Sequence, residues 1–415
     1  MPLCLTPRIE RIAQTVTGRS TSLFAEDMAR APAGGPRRVL LIGGAGSIGS
    51  ATAMQLLDWA QVDTLAVLDP NENNLAELIR SIRNRVRPFT GTVLIEPLDY
   101  GSPLAAQFLA TQKPFDTVLS FAALKHVRSE RDAFSTLRML EVNLLLADRF
   151  LATLRTQGHG SNGVFFVSTD KAANPVSLMG ASKRAMELLL WAHTKPGSVF
   201  TPTTGAPLPL VTTARFANVA FSDGSLPWSF LQRLEKGQPL AAPGDIRRYL
   251  ISPVEAGQLC TLAACATKHR TVVIPRLDPS ADLVSFTDIA AATLRAFDLE
   301  PAWYENPADA IANVISDRAR GRYPVLITTS DTSGEKDIEE FIAQDEKAND
   351  HPLAQQLQII AAPAHAPDIR PVLALIAESI SGKHAYDKDA LSNALLSLIP
   401  TMVHRETGTS LDGKI

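Results

Sequence analysis

A short stretch near the middle of the chain, FFVSTDKAANPVSLMGASKR, carries several side chains that can move protons. Thr169, Asp170 and Lys171 are consecutive and provide a hydroxyl, a carboxyl and an amine. Lys183 follows Met179 by four residues, so the two share one face of a helix. Such a set can polarise an oxygen and supply both an acid and a base. Met179 is unexpected there, because a thioether does not carry a proton.

The elements around this stretch must place those side chains at the end of a strand. GVFFVST is a continuous apolar run that ends at Ser168, and a loop with Pro175 precedes a helix. Similar runs alternate with helical segments, namely RVLLIGG, TLAVLD, TVLIEPLD, DTVLSFAA and LVTTARFANV. Buried strands that alternate with helices predict an α/β fold, a Rossmann-type doubly wound parallel sheet. The alternative for the polar residues is a simple capping loop at a strand end.

A glycine-rich turn lies between the first strand and its helix in LLIGGAGSIGSATAMQLL. Gly43 permits the tight turn, Gly46 lets the backbone approach a pyrophosphate, and Gly49 allows close packing of helix and strand. The helix N-terminus, with Ser47 and Ile48, provides amides and a dipole for phosphates. This setting predicts dinucleotide binding rather than a purely structural turn.

The second strand ends at Asp69, 20 residues beyond Gly49. A carboxylate there binds the adenosine ribose hydroxyls and repels a 2′-phosphate, and no arginine follows in LDPNENN. The sequence therefore favours NAD over NADP. Asp99 is either an adenine contact or an ordinary loop-start aspartate. Ala122 and Ser168, after the fourth and fifth strands, are further cofactor-binding candidates.

The stretch STDKAANPVSLMGASKR closely resembles nucleotide-sugar 4,6-dehydratases of the capsule, O-antigen and flagellin-glycosylation branch (the CapD-like, UDP-N-acetylglucosamine 4,6-dehydratase branch). These are extended short-chain dehydrogenases with a smaller, interleaved substrate-binding lobe. Further matches between residues 38 and 341 are IGGAGSIGS, AALKHV, ARFANV, DIRRYLISPVEAGQL and SGEKDIEEF. In the part of the branch that includes membrane-anchored members, methionine is a usual replacement for the tyrosine of other short-chain dehydrogenases. Met179 therefore does not by itself indicate a dead enzyme.

The resemblance implies a role for each residue of the catalytic stretch. Asp170 is the general acid at the C6 hydroxyl, and Lys171 removes the C5 proton. Thr169 polarises the C4 oxygen, Lys183 holds the nicotinamide ribose, and Met179 packs beside the nicotinamide. The proton of the C4 hydroxyl passes through Thr169 or a water to Lys183 or Lys171, and the sequence leaves these routes open.

The substrate side rests on weaker matches, each of which is also compatible with a solvated surface residue. Arg248 matches the diphosphate-binding arginine of the family better than its neighbour Arg247. The other candidates are Lys125 and His126 near the cofactor or sugar, Asn143 near the catalytic lysine, Asn218 at the nucleotide sugar, and Glu335 with Lys336 over the nucleotide ribose. Asp223 stands where a neutral or basic residue is expected, so the sugar specificity can differ from UDP-N-acetylglucosamine.

Bulk properties set the limits of these interpretations. The 415 residues are 45% hydrophobic and carry a net charge of −3, which indicates neither a nucleic-acid nor a membrane partner. The three cysteines fit no disulfide or zinc framework and favour a reducing, cytoplasmic location. No secretory signal or apolar run of membrane-spanning length is expected.

Four segments are predicted along the chain. Residues 1–37 form an arm and linker, 38–220 the NAD-binding domain, 221–345 the nucleotide-sugar-binding lobe, and 346–415 a helical extension. The favoured function is an NAD-dependent 4,6-dehydratase acting on a UDP-hexosamine, as a homo-oligomer by family resemblance. The alternatives are a C4 or C5 epimerase on the same scaffold and a non-catalytic nucleotide-sugar-binding protein.

Overall fold

The computed structural model describes most of the chain. The described residues are 5–31, 35–59, 61–125, 132–194, 208, 210–265, 269–329, 336, 338–365, 367–385 and 387–403.

Strands and alternating helices make up this part of the chain. The strands, β1 to β15, are Arg38–Ile42, Thr64–Leu68, Thr92–Glu96, Thr117–Ser120, Gly163–Val167, Val211–Ala214, Asn218–Val219, Leu240–Pro243, Arg247–Ile251, Thr271–Pro275, Leu283–Ser285, Glu300–Tyr304, Arg322–Thr328, Ala348–Asp350 and Leu357–Ala361. The helices, α1 to α15, are Leu5–Thr17, Ala25–Arg30, Ser47–Trp59, Glu72–Arg83, Pro103–Thr111, Ala133–Leu140, Leu146–Gln157, Leu178–Thr194, Leu226–Glu235, Pro253–Cys265, Phe286–Arg295, Pro307–Ala312, Val314–Arg318, Arg370–Ile380 and Lys388–Leu398.

The main sheet of the described chain has nine strands in the order β14-β15-β10-β6-β5-β4-β1-β2-β3. The seven strands from β10 to β3 run parallel, and β15 pairs antiparallel with β10 and β14. Strands β2, β4 and β5 are buried along their whole length. Helices cover both faces, which is why these strands are continuous apolar runs. The predicted fold class is confirmed.

One face of the sheet holds the helix that follows the catalytic loop. All 17 residues of α8 are buried, because α6 and α7 flank it and α14 and α15 also pack on this face. The last described turn reaches the loop before α8, where the Val403 amide donates to the Pro175 carbonyl at 2.9 Å. Residues near the C-terminus therefore enclose the catalytic helix.

A smaller lobe lies beyond the carboxyl ends of the parallel strands and contains two three-stranded sheets, β11-β9-β7 and β12-β13-β8. Its core includes Ile9 and Ile12 of α1. Arg19, just after α1, forms ion pairs with Glu255 at 2.9 Å and Asp282 at 3.0 Å. The N-terminal arm is thus packed into the fold rather than extended.

The C-terminal segment differs from the expected run of helices. It contributes β14 and β15 to the main sheet before α14 and α15 begin. The short antiparallel strand β15 borders the buried strand β10, and its side chains alternate less clearly between buried and exposed. A short, partly buried strand next to the edge of the sheet gives a weak sequence pattern. In the described ranges, no helix is long and apolar enough to cross a membrane.

Candidate active site

The glycine-rich turn joins β1 to α3 at the carboxyl edge of the main sheet. Gly43 has a φ of +64°, and an added Cβ would lie 2.8 Å from the amide nitrogen of Ala122. A Cβ at Gly49 would lie 2.6 Å from the Gly43 carbonyl oxygen, whereas one at Gly46 would meet its first neighbour at 3.5 Å. Gly43 and Gly49 are therefore fixed by packing, whereas an added Cβ at Gly46 would make only an ordinary van der Waals contact, so the predicted approach of a pyrophosphate to Gly46 stays a prediction.

Asp69 lies directly beside this turn. Its carboxylate accepts hydrogen bonds from the Ala45 amide at 3.2 Å and the Asn71 amide at 2.9 Å. Burial raises the pKa of Asp69, and the nearby charge of Asp223 raises it further. Asp223 also donates its backbone amide to the Ser47 hydroxyl at 2.9 Å. The smaller lobe thus contacts the N-terminus of α3, and the unexpected Asp223 lies beside the glycine-rich turn.

The other residues on the predicted cofactor side are Asp99, Ala122 and Asn143, and each of them contacts other protein groups. The Asp99 carboxylate pairs with Arg138 at 2.8 Å, so an adenine contact would have to share it. Ala122 lies against Gly43 in the loop after β4. Asn143 fixes that loop, because its side-chain amide exchanges two 3.0 Å hydrogen bonds with the Leu124 backbone.

A catalytic loop follows β5 and begins with a short 3₁₀ turn, Asp170–Ala172. The Thr169 hydroxyl donates to the Asp170 carboxylate at 2.7 Å, and the Lys171 amide donates to the same oxygen at 2.9 Å. Asp170 is only 2% exposed. The predicted acid and its neighbours therefore form one compact, hydrogen-bonded group at the end of the strand.

The Lys171 amine lies between two carboxylates. It is 3.1 Å from Glu339 and 3.4 Å from Asp170. Burial lowers the pKa of Lys171, but these two negative charges outweigh burial and raise it above its ordinary value. Glu339 is a functional candidate that the sequence reading did not identify. It lies in SGEKDIEEF, where the sequence predicts Glu335 and Lys336 as contacts to the nucleotide ribose and leaves a pair of surface charges as the alternative.

Helix α8 begins where the Ser177 hydroxyl accepts the Gly180 amide at 3.2 Å, and it carries Met179 and Lys183. Both are buried, at 3% and 4% exposure. Burial lowers the pKa of Lys183 to about 8, although Glu187 opposes the shift. An amine with a pKa of about 8 can accept a proton near neutral pH, whereas the thioether of Met179 cannot.

Asn143 joins the cofactor side to the catalytic helix. It lies in a π-helical turn, Glu141–Leu145, and donates to the Ser182 hydroxyl at 2.9 Å. Turns of this kind often occur at functional sites. The Ser168 hydroxyl, by contrast, donates to the buried Glu187 carboxylate at 2.7 Å. Its predicted contact with the cofactor stays a prediction.

The substrate candidates are distributed over the smaller lobe. Arg248 in β9 is 5% exposed and near enough to Lys171 and Glu339 to influence both pKa values, whereas Arg247 is exposed. Asn218 begins β7, which pairs with β9. Lys125 is exposed at the rim, and Asp223 is its charged neighbour.

Two predicted substrate contacts, Glu335 and His126, lie outside the described residues. Lys336 is described, and its amine donates to the Ala173 carbonyl at 2.9 Å. Lys336 therefore contacts the loop that follows β5.

The parallel sheet, the glycine-rich turn and the smaller lobe together define a Rossmann-type α/β protein. Residues 39–360 match the family described as "Polysaccharide biosynthesis protein", and the chain belongs to that family.

Two curated relatives illustrate this membership. An uncharacterized membrane protein of Methanocaldococcus jannaschii is 27% identical over 316 residues, covering 75% of this chain and 82% of that protein. The capsular polysaccharide biosynthesis protein CapD of Staphylococcus aureus is 26% identical over 246 residues, covering 57% of this chain but 37% of CapD. The chain therefore spans well under half of CapD.

Solved structures show the same fold at low sequence identity. Pen from Bacillus thuringiensis superposes with a TM-score of 0.57 at 20% identity, covering 80% of this chain and 89% of Pen. DesIV, a dTDP-glucose 4,6-dehydratase from Streptomyces venezuelae solved with NAD, gives a TM-score of 0.51 at 18% identity, covering 83% and 98%.

Proposed function

We propose that this chain is an NAD-dependent nucleotide-sugar 4,6-dehydratase, with UDP-N-acetylglucosamine as the favoured substrate and a 4-keto-6-deoxy sugar nucleotide as the product. The observation that carries the proposal is the loop after β5, where the buried Asp170 carboxyl and the partly exposed Lys171 amine lie 3.4 Å apart. A simple C4 epimerase needs no acid for a C6 hydroxyl.

When bound, NAD would supply the hydride chemistry, which is acceptance of the hydride from sugar C4 and its return at C6. The residues that hold it are the glycine turn with Gly46, and Asp69, whose carboxylate is oriented by two backbone amides. The carboxylate supports NAD over NADP, since it would repel a 2′-phosphate.

Lys183 is the favoured acceptor of the C4 hydroxyl proton. Its pKa of about 8 lets the neutral amine form near physiological pH. The resulting 4-ketone acidifies the C5 proton. Lys171 removes that proton, and Asp170 protonates the departing C6 hydroxyl. Thr169 contacts Asp170 and lies at the same strand end, where it can donate to the C4 oxygen.

Arg248 supports a diphosphate-containing substrate. Its guanidinium is mostly buried beside the catalytic loop, and a guanidinium binds phosphate oxygens in a bidentate manner. We assign it to the diphosphate, with Asn218 on the adjacent strand as a second contact to the nucleotide sugar.

Incubation with a panel of UDP- and dTDP-hexoses, followed by mass spectrometry, tests the function. The expected product has lost 18 daltons as water. In heavy water it carries one deuterium at C5, which receives a solvent proton, and none at C6, which receives the substrate hydride.

The other outcomes of this assay support different functions. A new isomer of unchanged mass would indicate an epimerase, and binding without conversion would indicate a non-catalytic protein. Conversion of dTDP-hexoses alone would contradict UDP-N-acetylglucosamine as the substrate.

A further inference from the structure

Glu339 is a buried carboxylate that faces the catalytic loop. It is 3% exposed, and one of its oxygens lies 3.1 Å from the Lys171 amine. The other oxygen has no hydrogen-bond partner among the described residues. The charged groups that face Glu339 from neighbouring elements are Lys171 and Asp170 in the catalytic loop and Arg248 in β9. A carboxylate so enclosed keeps its charge only through its cationic neighbours.

The segment that carries Glu339 is held in place by contacts of the residues that follow it. Asn174, in the catalytic loop with φ +45°, donates to the Glu340 carboxylate at 2.9 Å and accepts from the Gln344 amide at 3.0 Å. Farther along, Glu346 pairs with the fully buried Arg215 at 2.6 Å. Glu339 is therefore held over Lys171 by contacts that neither residue itself makes.

We infer that Glu339 is the proton acceptor for Lys171, so that the two residues work as one proton-sharing pair during elimination. The inference rests on the proposed dehydratase function and assigns the residue that makes Lys171 a base. Glu339 acts through Lys171 and is a positioning residue. Burial raises the pKa of Glu339 while the adjacent ammonium opposes the shift, which is consistent with a carboxylate ready to take a proton.

The proton count of the step balances within the site. The Lys171 ammonium passes one proton to the Glu339 carboxylate, which leaves a neutral amine beside a neutral carboxyl. The amine then takes the C5 proton, and the electron pair of the C5–H bond forms the C5–C6 double bond. The C6–O bond breaks, and the oxygen leaves as water with the proton of Asp170, which enters this step as the neutral acid and leaves it as a carboxylate. Burial disfavours both charges of the Lys171–Glu339 pair and so reduces the cost of forming the neutral pair.

The first test measures Lys171 directly and needs no turnover. The full chain with NAD is acylated with limiting acetic anhydride at a series of pH values, and mass spectrometry quantifies the Lys171 peptide. In Glu339→Gln the titration midpoint of Lys171 should move to lower pH, because a carboxylate that stabilises the ammonium is gone. In the control Glu340→Gln, which alters the adjacent contact to Asn174, it should not move. An unmoved midpoint in Glu339→Gln overturns the pair.

The second test follows kcat against pH for the converted sugar. At neutral pH Glu339→Gln should lose about 100-fold in kcat with KM nearly unchanged, the scale of one acid–base contribution. Its kcat should then rise with pH, since Lys171 must release its proton to solvent. Glu339→Asp should recover part of the rate.

The outcomes separate the two proposals. A uniform loss at every pH, or no loss, would contradict the inference. A wild-type enzyme that converts no nucleotide sugar would refute the proposed function, and the acylation midpoints would still decide whether the pair exists.

Discussion

Met179 occupies a buried position on the first turn of α8 and belongs to the main hydrophobic core. Its side chain has no proton to exchange, so its contribution is packing. Met179→Leu should retain most of the turnover, because the two side chains are similar in volume. The matched control is Met139→Leu, a fully buried methionine of the same core in α6. A folded Met179→Leu enzyme with a rate lower by several orders of magnitude would show that the sulfur has a chemical role.

The buried ammonium of Lys183 lowers the free energy of unfolding of the protein. The unfolded chain holds this proton up to about the ordinary pKa of 10.5, whereas the folded protein releases it at about 8. Below pH 8 the buried ammonium therefore costs the full difference, about 3 kcal/mol. Lys183→Met should stabilise the protein by that order at pH 7, and the gain should shrink as pH rises from 8 towards 10.5.

Denaturant unfolding of Lys183→Met at pH 7 and pH 9.5 measures this effect. The exposed Lys236→Met is the control and should change stability little at either pH. The Lys183 variant should also lose dehydration activity. Equal stability of wild type and Lys183→Met at pH 7 would mean that the amine is well solvated.

For single residues, the sequence predicts which side chains lie in the candidate site better than it predicts their hydrogen-bond and ion-pair partners. Asp170, Lys171 and Lys183 could be identified because the strand, loop and helix are contiguous. The Glu339 contact could not, because it joins segments far apart in the chain, as does the hydrogen bond from Lys336 to Ala173 across 163 residues. Ser168 shows the reverse case, since its position was predicted but its partner is the buried Glu187.

The turn between β1 and α3 distinguishes two glycines by their surroundings. Gly49→Ala should lower the melting temperature by several degrees, because its Cβ would lie 2.6 Å from both the Gly43 oxygen and the Gly44 Cα. Overpacking of this kind costs roughly 1–3 kcal/mol. Gly46→Ala should keep the melting temperature and weaken NAD binding at least tenfold, since its Cβ enters the space for the pyrophosphate.

Thermal unfolding and NAD titration of both variants check this expectation. Equal loss of stability in the two would show that the second glycine is structural as well. A normal NAD affinity in Gly46→Ala would place the cofactor elsewhere.

Among the elements, the parallel strands follow from the sequence because each is a continuous apolar run between turn residues. The C-terminal strands β14 and β15 could not be predicted in this way. They are short strands at and next to the edge of the sheet in a polar region, where alternation between buried and exposed residues is weak. The π-helical turn around Asn143 also has no clear sequence signal. It depends on the contacts of Asn143 with Leu124 and Ser182, which only the assembled fold provides.

A buried ion network connects three parts of the whole molecule. Glu187 of α8 pairs with Arg215 after β6 at 2.6 Å, and both residues have fully buried side chains. Arg215 and Arg184 also pair with Glu346, which ends the segment that carries Glu339. The network therefore links the catalytic helix, the main sheet and the Glu339 segment.

Glu346 should make the molecule sensitive to acid. Burial alone would raise its pKa, but the hydrogen bond and charge of Arg215, with Arg184, lower it to about 2. The contribution of Glu346 to the free energy of unfolding is complete above its ordinary pKa of 4.5 and is lost as the pH falls towards 2. Glu346→Gln should lose about 3 kcal/mol at pH 7.

Denaturant unfolding between pH 7 and pH 3 measures this loss, and the difference from wild type should narrow below pH 4.5. The exposed Glu235→Gln is the control. If the stability difference between wild type and Glu346→Gln stayed constant across this pH range, the charge of Glu346 would not be the cause of the difference.

The cover that α14, α15 and the Val403 contact form over α8 has a consequence for how activity depends on dilution. A surface covered by the same chain is enclosed at a fixed local concentration, whatever the protein concentration in solution. In the described residues, the packing around Met179 and Lys183 is provided by the same chain. Specific activity should therefore stay constant when the protein is diluted from micromolar to nanomolar.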